Sequence, residues 1–148
     1  MISHNEKETM DLGARLAKYL KPGDIVCLFG ELGSGKTTLV KGLVRGFKVN
    51  PSKVSSPTFV LMNVYEGKTP IYHFDLYRIR GQELPNIGYE EFFYDEGISV
   101  VEWAEQLGEQ MPKEYIAIYL LHKNENTRLI KISAQGKDLN DRLNKLKL

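Results

Sequence analysis

The sequence predicts an α/β fold with a mixed central sheet, and three features carry this prediction. An apolar run of five residues, Ile25–Phe29, leads through a glycine-rich turn into an amphipathic segment, 39–47. Strands and helices that alternate in this way form layered structures. A short turn containing glycine, 66–70, joins two further strand-like segments, 59–65 and 71–77, and its length is typical of a hairpin. A hairpin adds antiparallel strands to a parallel sheet.

The glycine-rich turn matches a known phosphate-binding pattern. Gly30, Gly35, Lys36 and Thr37 satisfy G-x-x-x-x-G-K-[ST], the P-loop. Its glycines let the backbone turn N–H groups toward an oligophosphate, and the helix that follows directs its positive end at the same anion. We therefore expect a three-layer fold like that of P-loop NTPases, which binds ATP and Mg²⁺. The residues expected to cradle the nucleotide are Glu31, Leu32, Gly33, Ser34, Gly35, Lys36, Thr37 and Thr38.

The composition narrows the class of protein. All 148 residues are expected to form a single P-loop ATPase domain, and the net charge of +1 gives no electrostatic footprint for nucleic acid or an anionic membrane. Basic residues near the C-terminus are interpreted as a solvated helix face. Cys27, the single cysteine, excludes an internal disulfide. Without a secretory signal or an apolar run of about 18 residues, we expect a cytoplasmic protein. We also expect it to be monomeric when alone. The basic residues are Lys137, Arg142, Lys145 and Lys147.

A helix is predicted before the first strand. Ser3 and Glu6 have the spacing of a capping box, small and apolar residues follow at helical spacing, and a Pro-Gly pair at 22–23 ends the segment. Packed beside the P-loop strand, this helix would wall one side of a base pocket, with Thr9 or Met10 touching adenine. An ordinary packing helix is an equal alternative.

After the hairpin, the chain continues with short elements. Residues 81–86 are expected to be irregular, and the aromatic-rich segment that follows predicts one short helix. The later predicted elements are a strand at 98–103, a polar helix to about residue 110, strands at 115–121 and 128–133, and a C-terminal helix at 139–146.

Two predicted strands end in carboxylates. Asp75 and Glu102 each lie at the carboxyl end of an apolar segment, the edge at which open α/β sheets bind ligands. A carboxylate there can hold Mg²⁺ through a water molecule, the Walker-B role, although a helix cap or a surface salt bridge is the alternative for each. His73 shares a strand face with Asp75 and is interpreted as a buried structural histidine more readily than as a base.

Four other residues are candidates for the site. Thr58 follows a proline in a loop, where nucleotide hydrolases place a switch threonine, and a strand-start threonine is the alternative. Arg78 or Arg80 would neutralise phosphate charge, although a surface salt bridge is favoured for Arg80. Trp103 is interpreted as a packing residue or a partner contact. The chain contains no Asn-Lys-x-Asp, which favours ATP over GTP.

The motifs taken together resemble one family. They occur in order and cover roughly residues 5–135, and they resemble the TsaE family, the bacterial ATPases of tRNA threonylcarbamoyladenosine biosynthesis. The segment after Gly136 matches no pattern of that family. The motifs are Gly30-Glu-Leu-Gly-Ser-Gly-Lys-Thr-Thr38, Ser56-Pro-Thr-Phe59, His73-Phe-Asp-Leu-Tyr-Arg78, Ile87-Gly-Tyr-Glu-Glu-Phe92 and Val101-Glu-Trp103.

The resemblance implies a small ATPase with a mixed sheet that is weakly active alone. Such proteins act with the TsaD–TsaB pair, which moves a threonylcarbamoyl group to the tRNA adenosine beside the anticodon, so contact with tRNA would be indirect. It also implies that Lys36 and Thr37 hold phosphate and Mg²⁺. Asp75 and Glu102 would be the functional acids, and Trp103 would belong to the same site.

Three hypotheses follow. In the leading one, water attacks the γ-phosphate of ATP while Thr37 and Glu102 hold the metal, Lys36 offsets developing charge, and Asp75 orients the water or senses the nucleotide. In the second, ATP binding orders the loop 55–59 and docks a partner, and hydrolysis is a slow reset. The third is a small-molecule kinase.

Overall fold

A seven-stranded sheet organises the computed structural model, which describes residues 1–57, 61–79, 88–93 and 95–148. Its strands are β1 (Ile2–Ser3), β2 (Ile25–Phe29), β3 (Met62–Tyr65), β4 (Ile71–Asp75), β5 (Ile98–Glu102), β6 (Tyr115–His122) and β7 (Arg128–Gln135). Its α-helices are α1 (Glu6–Ala17), α2 (Lys36–Gly46), α3 (Glu90–Phe93) and α4 (Lys137–Leu143), and 3-10 helices span Pro51–Lys53 and Ala104–Gln110.

The sheet is mixed, as the sequence predicts. The strand order is β1-β7-β6-β2-β5-β4-β3, and the four central strands, β6, β2, β5 and β4, run parallel to one another. Antiparallel strands lie outside them, with β3 paired to β4 through the predicted hairpin and β7 paired to β6 and β1. The central strand β2 therefore ends at the same sheet edge as β4 and β5, and the P-loop begins there.

The two faces of the sheet carry two apolar clusters. Because side chains alternate along a strand, Val26 and Leu28 of β2 point into the larger cluster, with α1 and α2, while Ile25 and Cys27 point into the smaller, aromatic one. The second cluster includes Phe93 of α3. Covering on both faces explains why β2 is a continuous apolar run rather than an alternating one.

Helices α1 and α2 pack with their backbones in contact. A Cβ placed at Gly42 of α2 would collide with the carbonyl oxygen of Met10, and a Cβ at Gly13 of α1 would collide with that of Leu39. Both positions therefore require glycine despite its cost inside a helix. The close approach holds α1 firmly beside the helix that follows the P-loop.

The predicted capping box of α1 is wrong by two residues. Asn5 is the N-cap, and its side chain accepts a hydrogen bond from the Glu8 N–H at 2.8 Å, while the Glu8 carboxylate accepts from the His4 N–H at 2.8 Å. Ser3 is unavailable for capping because it pairs with Arg128 in the sheet and is fully buried.

The C-terminal helix also differs from expectation. α4 begins two residues before the predicted start, and its interpretation as a wholly solvated basic face is wrong for Arg142. The guanidinium donates to both carboxylate oxygens of Asp24, at 2.6 and 2.9 Å, and the two side chains are only 13% and 11% exposed. The hydrogen bond that Arg142 donates to Asp24 is the main cause that raises the pKa of Arg142.

The remaining elements largely follow the predictions. The short aromatic helix is α3, and the polar helix before Pro112 is present as a 3-10 helix interrupted at Gly108, where φ is 51° and ψ is −121°. The predicted irregular segment at 81–86 and the start of the predicted strand at 59 lie outside the described residues. No helix within the described ranges has the length and apolar character needed to cross a membrane.

Candidate functional site

The loop between β2 and α2 requires glycine at several positions. Gly30, Gly33 and Gly35 have φ angles of 151°, 77° and 104°, a region that other residues rarely adopt. A Cβ at Gly30 would lie 2.5 Å from the carbonyl oxygen of Leu120, so this position is also sterically closed to larger residues. The P-loop pattern thus corresponds here to a tight backbone turn at the end of the central strand.

Helix α2 starts directly at Lys36, with Gly35 as an N-cap that has no side chain to satisfy the first N–H groups. The Lys36 side chain folds back over the loop, and its Nζ donates to the carbonyl oxygens of Gly30 at 2.6 Å and Glu31 at 2.8 Å. Burial is the main cause that lowers its pKa. The loop therefore contains a mostly desolvated cation beside the uncapped end of a helix.

Trp103 covers this lysine. Its ring centroid lies 4.2 Å from Lys36 Nζ, within the range of a cation–π interaction. Trp103 has a left-handed backbone, with φ at 58°, and its ring packs against Tyr77 with centroids 4.8 Å apart. The tryptophan is therefore placed at the site, as the family resemblance implies, through a backbone turn directly after β5.

The two predicted acids lie side by side at the sheet edge. Asp75 of β4 and Glu102 of β5 are register partners, and each is 2% exposed. The Thr37 hydroxyl donates to Glu102, with its Oγ1 at 3.0 Å from Oε1 and 3.2 Å from Oε2. The carboxylate that faces the P-loop threonine is therefore that of Glu102.

Asp75 makes a different set of contacts. Its Oδ2 accepts from the Ser56 hydroxyl at 2.7 Å, and its Oδ1 accepts from the Tyr77 N–H at 2.9 Å. Asp75 thus connects the sheet edge to the loop that follows the Pro51–Lys53 turn. The structure places the two acids in two environments, one against the P-loop helix and one against a neighbouring loop.

A cavity of about 420 Å³ opens between the P-loop and these acids. It is the space that a bound ligand would occupy, because the loop backbone, the first turn of α2 and both acids face it. The lining residues are Glu6, Leu32, Gly33, Gly35, Lys36, Thr37, Thr38, Ser56, Asp75, Tyr77, Glu102, Trp103 and Arg128.

Three residues predicted to contact the nucleotide do not line the main cavity, namely Thr9, Glu31 and Ser34. Ser34 is 1% exposed, and Glu31 borders a second cavity of about 360 Å³ on the other side of Trp103. Thr9 does not line the main cavity, since it is fully buried and its hydroxyl lies 2.7 Å from that of Ser3. Thr58 lies outside the described residues.

The predicted arginines do not line the cavity within the described part of the chain, but another arginine does. Arg78 is exposed, and Arg80 lies outside the described residues. Arg128, at the start of β7, borders the cavity and donates through Nε to the Ser34 carbonyl oxygen at 3.1 Å. Sequence reasoning missed this contact because 94 residues separate the two positions and no local pattern marks the arginine.

Comparisons with known proteins give the family of this chain. The family model described as "Threonylcarbamoyl adenosine biosynthesis protein TsaE" matches residues 3–130. The chain belongs to the TsaE family. The match ends before α4, in keeping with a C-terminal segment that carries no family pattern.

Two curated relatives illustrate the similarity, and both are named "tRNA threonylcarbamoyladenosine biosynthesis protein TsaE". The protein of Bacillus subtilis (strain 168) is 38% identical over 133 residues, which cover 89% of this chain and 83% of the relative. That of Aquifex aeolicus (strain VF5) is 46% identical over 108 residues, which cover 72% and 77%.

A solved structure shares the fold. The crystal structure of Bacillus subtilis YdiB superposes with a TM-score of 0.82 at 31% sequence identity, and the match covers 98% of this chain and 90% of that one. The architecture described above is therefore shared with this solved structure.

Proposed function

We propose that this TsaE-family protein is a Mg²⁺-dependent ATPase that supports the TsaD–TsaB pair in transferring a threonylcarbamoyl group to tRNA. Membership of the family supports a role in threonylcarbamoyladenosine biosynthesis. The observation that carries the ATPase proposal is the contact between Thr37 and Glu102 beside a P-loop lysine. A hydroxyl, a carboxylate and a lysine in this arrangement are the parts with which P-loop enzymes hold Mg²⁺ and phosphate.

The donors present fit Mg²⁺ better than an ion that needs an all-protein cage. Magnesium prefers oxygen ligands and keeps several waters, so one carboxylate and one hydroxyl are enough when ATP phosphates complete the shell. Within the described residues, no group of three His, Cys, Asp or Glu side chains could surround an ion. When bound with ATP, the ion would neutralise charge that develops on the phosphate oxygens.

Each side chain then has a defined task. The loop N–H groups and α2 bind the phosphates, and Lys36 moves from the carbonyl oxygens of Gly30 and Glu31 to the outer phosphates. Thr37 and Glu102 hold the metal position. Asp75 orients the attacking water, because it is the second buried acid at the cavity. Positioning and electrostatics supply most of the catalysis in this chemistry.

The resting contacts of Lys36 support slow activity without partners. The lysine must give up two carbonyl oxygens and its place against Trp103 before it can reach a phosphate. Contact with TsaD–TsaB would favour the released position and so raise the rate. The threonylcarbamoyl transfer itself would be the task of the partners, as the family resemblance implies.

The test is ATP turnover by the purified protein, alone and with TsaD and TsaB, followed together with the formation of modified tRNA. We expect turnover to require Mg²⁺, to rise with the partners, and to fall at least 100-fold in Lys36→Ala, by roughly the loss seen when one stabilising charge is removed. Wild-type turnover by Lys36→Ala in the full complex would contradict the proposed role.

A nucleotide-gated interaction module is the second candidate, and the hydrogen bond between Ser56 and Asp75 favours it. This contact connects the cavity to the loop before residue 58, so a ligand at the site can alter a surface segment. Asp75→Asn, once shown by calorimetry to bind ATP without hydrolysing it, separates the two proposals. Many rounds of tRNA modification with this variant would favour the module, and a stop after one round would favour the ATPase.

A further inference from the structure

The carboxylate of Glu102 is supported from behind by two buried side chains. His73 lies in the middle of β4, is 0% exposed, and places its Nε2 2.5 Å from Glu102 Oε2. The Tyr65 hydroxyl of β3 lies 2.8 Å from the other ring nitrogen, Nδ1. The contacts thus form a chain from Tyr65 through His73 and Glu102 to Thr37.

The strand register aligns the first three side chains of this hydrogen-bonded series. Tyr65 is paired with Ile71, Asn63 with His73, and Asp75 with Glu102, so the three side chains step two residues per strand across β3, β4 and β5. Steps of two keep all three on one face of the sheet. That face is the one covered by α2, and Thr37 lies at the start of this helix.

With a neutral imidazole at His73, the hydrogen-bond donors along this series of contacts have one consistent arrangement. A carboxylate only accepts hydrogen bonds, so the proton must be on Nε2 of His73. In the neutral imidazole, Nδ1 is then an acceptor, and the Tyr65 hydroxyl is the donor that faces it. The same hydroxyl is 3.3 Å from the Ser55 carbonyl oxygen, a longer and weaker alternative. Tyr65 therefore selects the tautomer that allows His73 to donate to Glu102.

We propose that His73, oriented by Tyr65, is a positioning residue that fixes the Glu102 carboxylate so that Oε1 faces Thr37 and the metal position. Supporting hydrogen bonds of this kind orient metal-binding groups in many proteins. The inference rests on the proposed function, because it needs Glu102 to act at a metal. It assigns to His73 more than the part of a satisfied core residue, since its partner is the acid at the cavity.

The test measures metal binding directly. Mn²⁺ is titrated by electron paramagnetic resonance against the protein saturated with a non-hydrolysable ATP analogue. His73→Leu removes the donor and should weaken Mn²⁺ binding by about 10–100-fold. His73→Gln carries an amide N–H that can replace Nε2–H and should recover most of the affinity. Tyr65→Phe removes only the distal hydroxyl and should weaken binding by about 3–10-fold.

A matched control is available on the same strand as His73. Tyr72 is also a buried tyrosine, but its hydroxyl donates to Asp95 at 2.7 Å, on the aromatic side of the sheet. Tyr72→Phe should lose a similar amount of stability and leave Mn²⁺ affinity unchanged. If Tyr65→Phe and Tyr72→Phe behaved alike, the hydroxyl of Tyr65 would be merely structural and the inference would be overturned.

The same titration separates this inference from the proposed function. If Glu102→Gln binds Mn²⁺ as the wild type does, the metal position itself is wrong. If Glu102→Gln loses Mn²⁺ while His73→Leu, still folded by its melting temperature, keeps it, only the positioning role is overturned. Should His73→Leu fail to fold, Tyr65→Phe decides, since wild-type Mn²⁺ affinity in that variant would also overturn the inference.

Discussion

Two largely buried carboxylates lie at opposite ends of the central parallel strands and differ in their partners. Asp24 precedes β2, and Arg142 donates to both of its oxygens while the Lys21 N–H donates to Oδ2 at 2.7 Å. Glu102 ends the neighbouring parallel strand, and its contacts are the uncharged hydroxyl of Thr37 and the imidazole of His73. The first acid is enclosed by an arginine, and the second faces a cavity.

The two acids differ in how their negative charge is compensated. The side chains of Glu102 and Asp24 are 3% and 11% exposed, so both are largely removed from water and burial alone does not explain how they differ. What differs is whether a permanent cation touches the carboxylate. Asp24 is in direct contact with the guanidinium of Arg142, whereas Glu102 contacts a hydroxyl and an imidazole and interacts with the Lys36 ammonium only at longer range. A further cation at the cavity could therefore complement Glu102.

The largest expected effect is on activity, at Glu102. Glu102→Gln keeps the shape and can still hydrogen-bond Thr37 and His73, so we expect the free energy of unfolding to change little. ATP turnover with TsaD–TsaB should fall by about 10²–10³-fold, because a charge that acts at the transition state is lost. Steady-state phosphate release and urea unfolding measure the two quantities. The exposed Glu109→Gln is the control, and equal turnover in both variants would contradict the assignment.

The next effect is on stability, at the other end of the central parallel strands. Arg142→Met leaves Asp24 without its countercharge and should lower the free energy of unfolding by about 3 kcal/mol, the low end for a broken buried pair because both side chains are slightly exposed. ATP binding below the melting temperature should be unchanged. Urea unfolding and calorimetry test this, with the exposed Lys145→Met as control. A loss of ATP affinity without a loss of stability would contradict the assignment of Arg142 and Asp24 to a structural role.

Arg128 differs from Arg142 in lying at the cavity, so its loss should affect ligand binding more than stability. Arg128 supports the P-loop through the Ser34 carbonyl and lines the cavity, so Arg128→Met should weaken ATP binding by about 5–10-fold, the worth of roughly one hydrogen bond. Its effect on unfolding should be smaller than that of Arg142→Met. Calorimetric titration with ATP measures the change, and Arg45→Met, on the outer surface of α2, is the control. Unchanged affinity would remove Arg128 from the site.

The P-loop and its two acids could be predicted because each carries its own local signal. The pattern from Gly30 to Thr37 is contiguous, and parallel strands bring Asp75 and Glu102 to one edge whatever lies between them. Which acid faces Thr37 depends on strand register and on the rotamers at the edge. Those follow from packing, and the sequence does not display them.

Contacts between distant segments could not be predicted in the same way. Ser3 has the composition of a helix cap but is taken up by pairing with β7, so the cap moves to Asn5. Arg142 and Asp24 are 118 residues apart, and no periodicity relates them. Thr9 faces a buried serine because β1 lies under α1. In each case long-range pairing overrides a local preference.

The smallest expected effect concerns an exposed pair that completes the comparison. Asp11 of α1 accepts from Arg45 of α2 at 2.6 Å, and the two side chains are 44% and 39% exposed. The hydrogen bond from Arg45 holds the pKa of Asp11 below its ordinary value of 3.8. A depressed pKa in the folded state means that the stabilisation is present above that ordinary value and disappears as the pH falls through the folded pKa.

Asp11→Asn should therefore cost less than about 1 kcal/mol of unfolding free energy at neutral pH, because solvent screens exposed pairs. The difference from wild type should shrink as the pH falls below about 4 and vanish once the wild-type carboxyl is protonated. Urea unfolding of both proteins across this pH range, at low and high salt, measures it. In acid, a neutral carboxyl and an amide are equivalent partners for Arg45, so the stability difference should be absent. If the difference persisted there, the salt bridge between the helices would be rejected as its cause.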